Sequence, residues 1–286
     1  MSFLIGIIVG ILTLPLKLII LYTSILTYGM FAYVIGSIPS GLILTKIFLK
    51  KDIRNEGSGN IGTTNVLRSG GKKLAAATLI LDMLKASVPV FIFSIHEGVQ
   101  FAVIIGLFAI LGHCFPVWLK FKGGKGVATT FGALFAAVPY AGLAAAAAWL
   151  TTAFLFRISS LAALVAVAIA PIVTFFVYGL VPAAICALIT LLVWVRHTEN
   201  IRRIMANEES RIGSKDTPQK QRRIFILVFA LIIASSFISI AAYYIASQYE
   251  IWGCHGGFTG EQHCHFICKP GNSHCGNIFG PDDHIH

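Results

Sequence analysis

The chain reads as an all-α polytopic membrane protein: a seven-helix transmembrane core, an additional C-terminal span and a possible N-terminal apolar helix. Three observations predict this. Hydrophobic residues make up 56% of the chain and charged residues only 12%, about half the share a soluble domain uses to cover its surface. Mean hydropathy is +0.80, and the apolar residues fall into runs of spanning length. The basic residues alternate by loop, as the positive-inside rule requires of a membrane protein.

The runs lie at 28–48, 74–95, 99–119, 126–138, 140–156, 159–178 and 180–195, separated by polar loops or by Gly and Pro. The fourth falls short of the roughly 20 residues of a full crossing, so it is expected to be tilted, broken or sheltered by its neighbours. Residues 3–27 are apolar except for Lys17 and suit an extra span, an interfacial helix or part of one long helix. A further span is expected at 224–247. The organisation is then an N-terminal extension (1–27), a core (28–213), a basic linker with an extra span (214–248) and a Cys/His-rich tail (249–286).

Loops 46–73, 120–125, 157–158 and 196–223 hold every Lys and Arg except Lys17, Lys85 and Lys269. These loops share one side, the cytoplasmic one. The net charge of +10 is therefore topological, and nucleic acid is not an expected partner.

Three polar clusters fall in those loops. Between Gly57 and Gly70 stand four glycines with Ser58, Asn60 and Asn65, a composition suited to backbone nests that bind phosphate, and Arg68 adds a bidentate donor. Lys122-Gly123-Gly124-Lys125-Gly126 precedes a helical run, so free amides, the positive helix end and Lys125 are expected to face an anion. The Walker spacing is absent, so no nucleotide is inferred. Arg196-His197-Thr198-Glu199-Asn200 places Asn200 on the face of His197. His113, in Gly112-His113-Cys114-Phe115-Pro116, suits a base, a phosphate donor or a core histidine alike. Asp82 and Lys85 share a helical face within a span, where ionisable groups either pair or line a polar interior. In the tail, Cys254, Cys264, Cys268 and Cys275 alternate with histidines and suit disulfides or a metal, with no catalytic role expected.

Taken together, Gly36-Ser37-Ile38-Pro39-Ser40-Gly41, the run Gly57 to Arg68, Leu81-Asp82-Met83-Leu84-Lys85, Gly112-His113, Lys120 to Thr129 and His197 to Ile201 resemble, in order, the bacterial acyl-phosphate:glycerol-3-phosphate acyltransferases of the PlsY type. The resemblance covers about 28–213. It implies seven helices with cytoplasmic motifs in the bacterial plasma membrane. It also implies transfer of a fatty acyl group from acyl phosphate to the sn-1 hydroxyl of glycerol 3-phosphate, giving lysophosphatidate and phosphate without cofactor or metal.

On this resemblance Ser58, Arg68, His197 and Asn200 are the catalytic set. Gly57, Gly59, Asn60, Asn65, Lys85, His113, Gly123, Gly124, Lys125 and Gly126 are the substrate-binding set. Thr63 stands where the family usually has Ala, and Asn207 where Gly is commoner. The alternative from another class is a transporter or channel for a phosphorylated solute, which uses the same anion-binding loops without making a covalent bond.

Overall fold

The computed structural model describes residues 2–94 and 97–212 and two short strands, Gly253–Gly256 and Gln262–His265. The expected linker, the span at 224–247 and most of the tail lie outside the described residues. The two strands pair antiparallel, with Cys254 opposite Cys264 and His255 opposite His263.

The first unit is all helical. Helix α1 runs from Ser2 to Gly36 and α2 from Ser40 to Leu49. The N-terminal extension is thus part of one long helix, and the expected span at 28–48 is broken inside. Pro39 causes the break: it has no N–H to give, and its ring disfavours helical conformation at Ile38. Carbonyls freed there are taken by distant side chains. Trp118 Nε1 donates to Ser37 O at 2.8 Å and Lys85 Nζ to Ile38 O at 2.8 Å.

Helix α3 spans Thr63–Ser94 but leaves helical geometry at Gly71 (φ 77°), which separates a short polar segment from the apolar part. Helix α4 is Gly98–Cys114, α6 Pro139–Phe156, α7 Ser159–Tyr178 and α8 Leu180–Arg196. The polar helix α9, Thr198–Ala206, follows α8 across a bend of 62°.

Helix α5, Val127–Ala137, has 11 residues and so rises about 16 Å, roughly half the hydrocarbon thickness. Thr129, Thr130, Ala133 and Leu134 are buried, which shelters the incomplete crossing between its neighbours. Five described stretches are long and apolar enough to cross a membrane by themselves, or six if α8 and α9 count as one bent span.

Lipid replaces water as the outer solvent, so large apolar side chains point outward: Phe154 is 83% exposed. Inside, small residues let backbones approach, since helices in lipid associate through packing rather than hydrophobic exclusion. A Cβ added to Gly36 would collide with the Ala109 carbonyl, one on Gly112 with Tyr33 O, and one on Gly132 with Met83 O.

Gly132→Val is therefore expected to separate α3 from α5 at a cost of about 1–3 kcal/mol, read as a lower unfolding midpoint in detergent. An unchanged midpoint contradicts this packing.

Candidate active site

The first cluster is a loop pinned by one side chain. Asn65, near the start of α3, is buried, and its Oδ1 accepts from Ser58 N at 3.0 Å. Its Nδ2 faces the carbonyls of Glu56 (2.8 Å), Asn60 (2.9 Å) and Ile53 (3.2 Å). Gly57 has φ 55°, and a Cβ there would run into Asn65 Oδ1, so the loop closes only with glycine. Both ends of the Asn65 amide are thus committed to the loop, and through Oδ1 it holds the backbone of Ser58. The amides of Ser58 and Gly59 are likewise occupied, the latter by Glu56 O at 3.0 Å. These two amides are therefore not open to an anion. Ser58 and Arg68 are exposed, and Arg68 donates to Ser210 Oγ at 2.5 Å, beyond α9.

The second cluster folds back on the end of α4. Gly124 N donates to His113 O at 3.0 Å and Gly123 N to Cys114 O at 3.2 Å. Arg196, at the end of α8, donates to Gly124 O (3.1 Å) and Gly123 O (3.0 Å), and its guanidinium lies over Phe115. These glycine amides are consequently not available to an anion, contrary to the expectation for a phosphate loop. They serve to hold Lys125. Gly126 (φ 86°) then caps α5, whose first turn begins beside the lysine.

The third cluster forms where α8 breaks. His197 Nδ1 lies 2.8 Å from Val193 O. A carbonyl can only accept, so Nδ1 carries the proton, and the neutral ring keeps its lone pair at Nε2. Asn200 is buried: its Oδ1 accepts from Lys125 Nζ, and its Nδ2 donates to Glu209 Oε1 at 2.7 Å. Glu209 also accepts from Ser160 Oγ at 2.8 Å and, through Oε2, from Arg203 Nε at 2.7 Å. One turn past Asn200, Ile204 packs with Ile158 and Leu161, which seats α9 against α7. Sequence reasoning missed Glu209. The available signal was a carboxylate set among many loop cations, nine residues after Asn200.

The three clusters are therefore one site. Lys125 bonds Asn200, Arg68 bonds the residue after Glu209, Arg196 clamps the glycine loop, and Thr64 Oγ1 lies 3.3 Å from Ser159 Oγ. Burial, opposed by Glu209 and reinforced by Arg203, Arg196 and Arg68, lowers the Lys125 pKa to about 8. Lys85 sits elsewhere. Its Nζ is buried against Asp82, Ile38 O and the His113 ring. Among the described residues, no group of three or more His, Cys, Asp or Glu could hold a metal.

Residues 26–207 match the family model described as glycerol-3-phosphate acyltransferase. The glycerol-3-phosphate acyltransferase of Sinorhizobium medicae is 53% identical over 192 residues, 67% of this chain and 94% of that one. That of Agrobacterium fabrum is 51% identical over 187 residues, 65% and 91% respectively. Two crystal structures of PlsY (YgiH), an integral membrane glycerol 3-phosphate acyltransferase, are similar at 38% identity, each covering 66% of this chain and 96% of that one. The glycerol 3-phosphate form has a TM-score of 0.64 and the lysophosphatidic acid form 0.62.

Asn65→Ala removes one acceptor and leaves several loop carbonyls without a donor, a loss of about 1–3 kcal/mol per buried group. The 50–62 loop is expected to become susceptible to limited proteolysis at a temperature where the remaining helices stay folded. A cleavage pattern identical to wild type contradicts the pinning role.

Proposed function

The chain belongs to the glycerol-3-phosphate acyltransferase family, and on that premise we propose that it uses acyl phosphate as donor and acts through the site formed by Ser58, Arg68, Lys125, His197 and Asn200. The observation that carries this proposal is the Lys125–Asn200 contact, which joins the second cluster to the third inside a ring of Arg68, Arg196 and Arg203. Two phosphorylated reactants repel each other, and a site that holds both requires several fixed cations against few carboxylates. Glu209 is already engaged by Arg203, Ser160 and Asn200, so it steadies the cations without opposing an anion directly.

In the proposed step, the sn-1 hydroxyl oxygen attacks the acyl carbon, the bond from that carbon to the phosphate oxygen breaks, and phosphate departs with the electron pair. The hydroxyl proton passes to the donor's own phosphate, with His197 Nε2 as the alternative acceptor. An acyl phosphate is an activated mixed anhydride, so positioning and charge stabilisation are sufficient and no covalent acyl-enzyme is needed. Ser58 orients the acceptor, and Arg68 and Lys125 hold phosphate. Asn60 and the glycines Gly57, Gly59, Gly123, Gly124 and Gly126 shape the loops. The acyl chain extends among the apolar helices. The site faces the cytoplasm of a bacterial plasma membrane, consistent with the loop distribution of Lys and Arg.

The purified protein in liposomes is expected to form lysophosphatidate, identified by mass, from acyl phosphate and glycerol 3-phosphate. Absence of product with correctly inserted protein overturns the assignment, and uptake of glycerol 3-phosphate without product supports a transporter. Arg68→Ala and Lys125→Ala are expected to lose at least about 100-fold in activity while still inserting.

Lys125 titrates near pH 8, so its cationic fraction falls as pH rises through that value. The KM for a phosphorylated substrate is expected to rise above pH about 8. Glu209 raises the lysine's pKa, so Glu209→Gln is expected to move the break to lower pH. A KM that is flat from pH 7 to 9 in both proteins contradicts the assignment of Lys125 to phosphate.

A further inference from the structure

Behind the glycine loop, Asp82, Lys85 and His113 are all buried among α3, α4 and the break between α1 and α2. Lys85 Nζ lies 2.8 Å from Asp82 Oδ1, 2.8 Å from Ile38 O and 2.7 Å from His113 Nδ1. The contact to Asp82 is an ion contact outside hydrogen-bond alignment; Asp82 Oδ1 also lies 3.8 Å from His113 Nδ1, beyond hydrogen-bond distance, and has no hydrogen bond among the described residues. Paired with this carboxylate at 2.8 Å, Lys85 Nζ acts only as a donor. An ammonium has three protons and no lone pair, so His113 Nδ1 must accept. The histidine proton is then on Nε2.

The position of Nε2 gives this tautomer a use. A Cβ added to Gly124 would meet His113 Nε2, Cε1 and Cδ2, so the ring edge lies directly on the glycine that precedes Lys125. Among the described residues Nε2 has no hydrogen-bond partner. It is also not one of the sealed unpartnered atoms, which are Thr63 Oγ1, Asp82 Oδ1, Thr129 Oγ1, Thr130 Oγ1 and Arg211 Nε. Nε2–H is thus an uncommitted donor at the edge of the site. His197 has the opposite arrangement, with Nδ1–H fixed on Val193 O and its lone pair at Nε2.

We infer that Asp82 and Lys85 are positioning residues that lock His113 as an Nε2–H donor to a phosphoryl or acyl oxygen of the substrate held at Lys125. This rests on the proposed function and sharpens it. The three sequence-level roles open to His113 reduce to one: with Nδ1 blocked by an ammonium and Nε2 protonated, the ring cannot act as a general base. The site then carries one donor imidazole and one acceptor imidazole, set by two different neighbours.

The test combines a spectroscopic and a kinetic measurement. In the detergent-solubilised full chain labelled with 15N-histidine, with His113→Gln used for assignment, wild-type His113 is expected to show a protonated Nε2 and a bare Nδ1. Addition of glycerol 3-phosphate or inorganic phosphate is expected to shift the Nε2 signal. A protonated Nδ1 in wild type overturns the inference.

For kinetics, Asp82→Asn and Lys85→Met are introduced together, so that neither charge is left buried alone. This paired variant is expected to lower kcat/KM about 30-fold, and His113→Gln, whose amide nitrogen replaces the Nε2 donor, by less than about 10-fold. In the His113→Gln background the pair is expected to cost less than about 3-fold more. Full multiplicative loss shows that the charges act through packing alone and overturns the inference. Absence of acyltransfer by wild type rejects the proposed function, whereas the tautomer is read from the spectrum independently.

Discussion

Within the hydrocarbon region no water is available to a backbone carbonyl, so every point where a membrane helix breaks requires a donor from elsewhere in the protein. The breaks in this chain coincide with its site. Ser37 O receives Trp118 and Ile38 O receives Lys85; Phe115 O receives Tyr33; the carbonyls of Gly123 and Gly124 receive Arg196; Val193 O receives His197. Except for His197, which bonds four residues back into α8, each of these donors joins segments distant in sequence. The requirement for backbone satisfaction therefore also assembles the site, and a residue such as Arg196 is structural and electrostatic at once.

The second constraint is charge. Arg68, Lys125, Arg196 and Arg203 act on one another at the site, with Glu209 as the buried carboxylate among them. Desolvation and the neighbouring arginines disfavour the ammonium of Lys125. On the proposed function a substrate phosphate supplies counter-charge, and part of its binding energy comes from relieving this repulsion. Glu209 limits this repulsion without removing it, since its carboxylate is shared among three donors.

Much of this was legible in the sequence, and the failures have specific physical causes. Apolar length located the helical segments, because each must cover a fixed thickness. It did not locate the break at Ser37–Pro39, since Lys85 and Trp118, which stabilise that break, lie 47 and 81 residues away from the carbonyls they reach. The three clusters were identifiable as polar islands. The division of labour within them was not: Asn65 and the amides of Gly123 and Gly124 have the chemistry of anion ligands, and only their hydrogen-bond partners show that they build the loops. Glu209 went unrecognised because a single carboxylate carries no periodic or spacing signal. The tautomers of His113 and His197 depend on one neighbour each, Lys85 and Val193, and composition is silent on both.

The short helix α5 has a consequence for the substrate. From the corner at Val138, α5 climbs at most about 16 Å to Gly126, whereas α6 climbs about 27 Å from the same corner to Phe156. The two helices thus differ by about 10 Å in rise from that corner. The short α5 is preceded by the glycine loop that folds back on α4, with Arg196 on its carbonyls and Lys125 buried beside it. On the proposed function this arrangement suits a donor with one lipid end and one phosphate end, its phosphate at Lys125 and its acyl chain among the apolar helices.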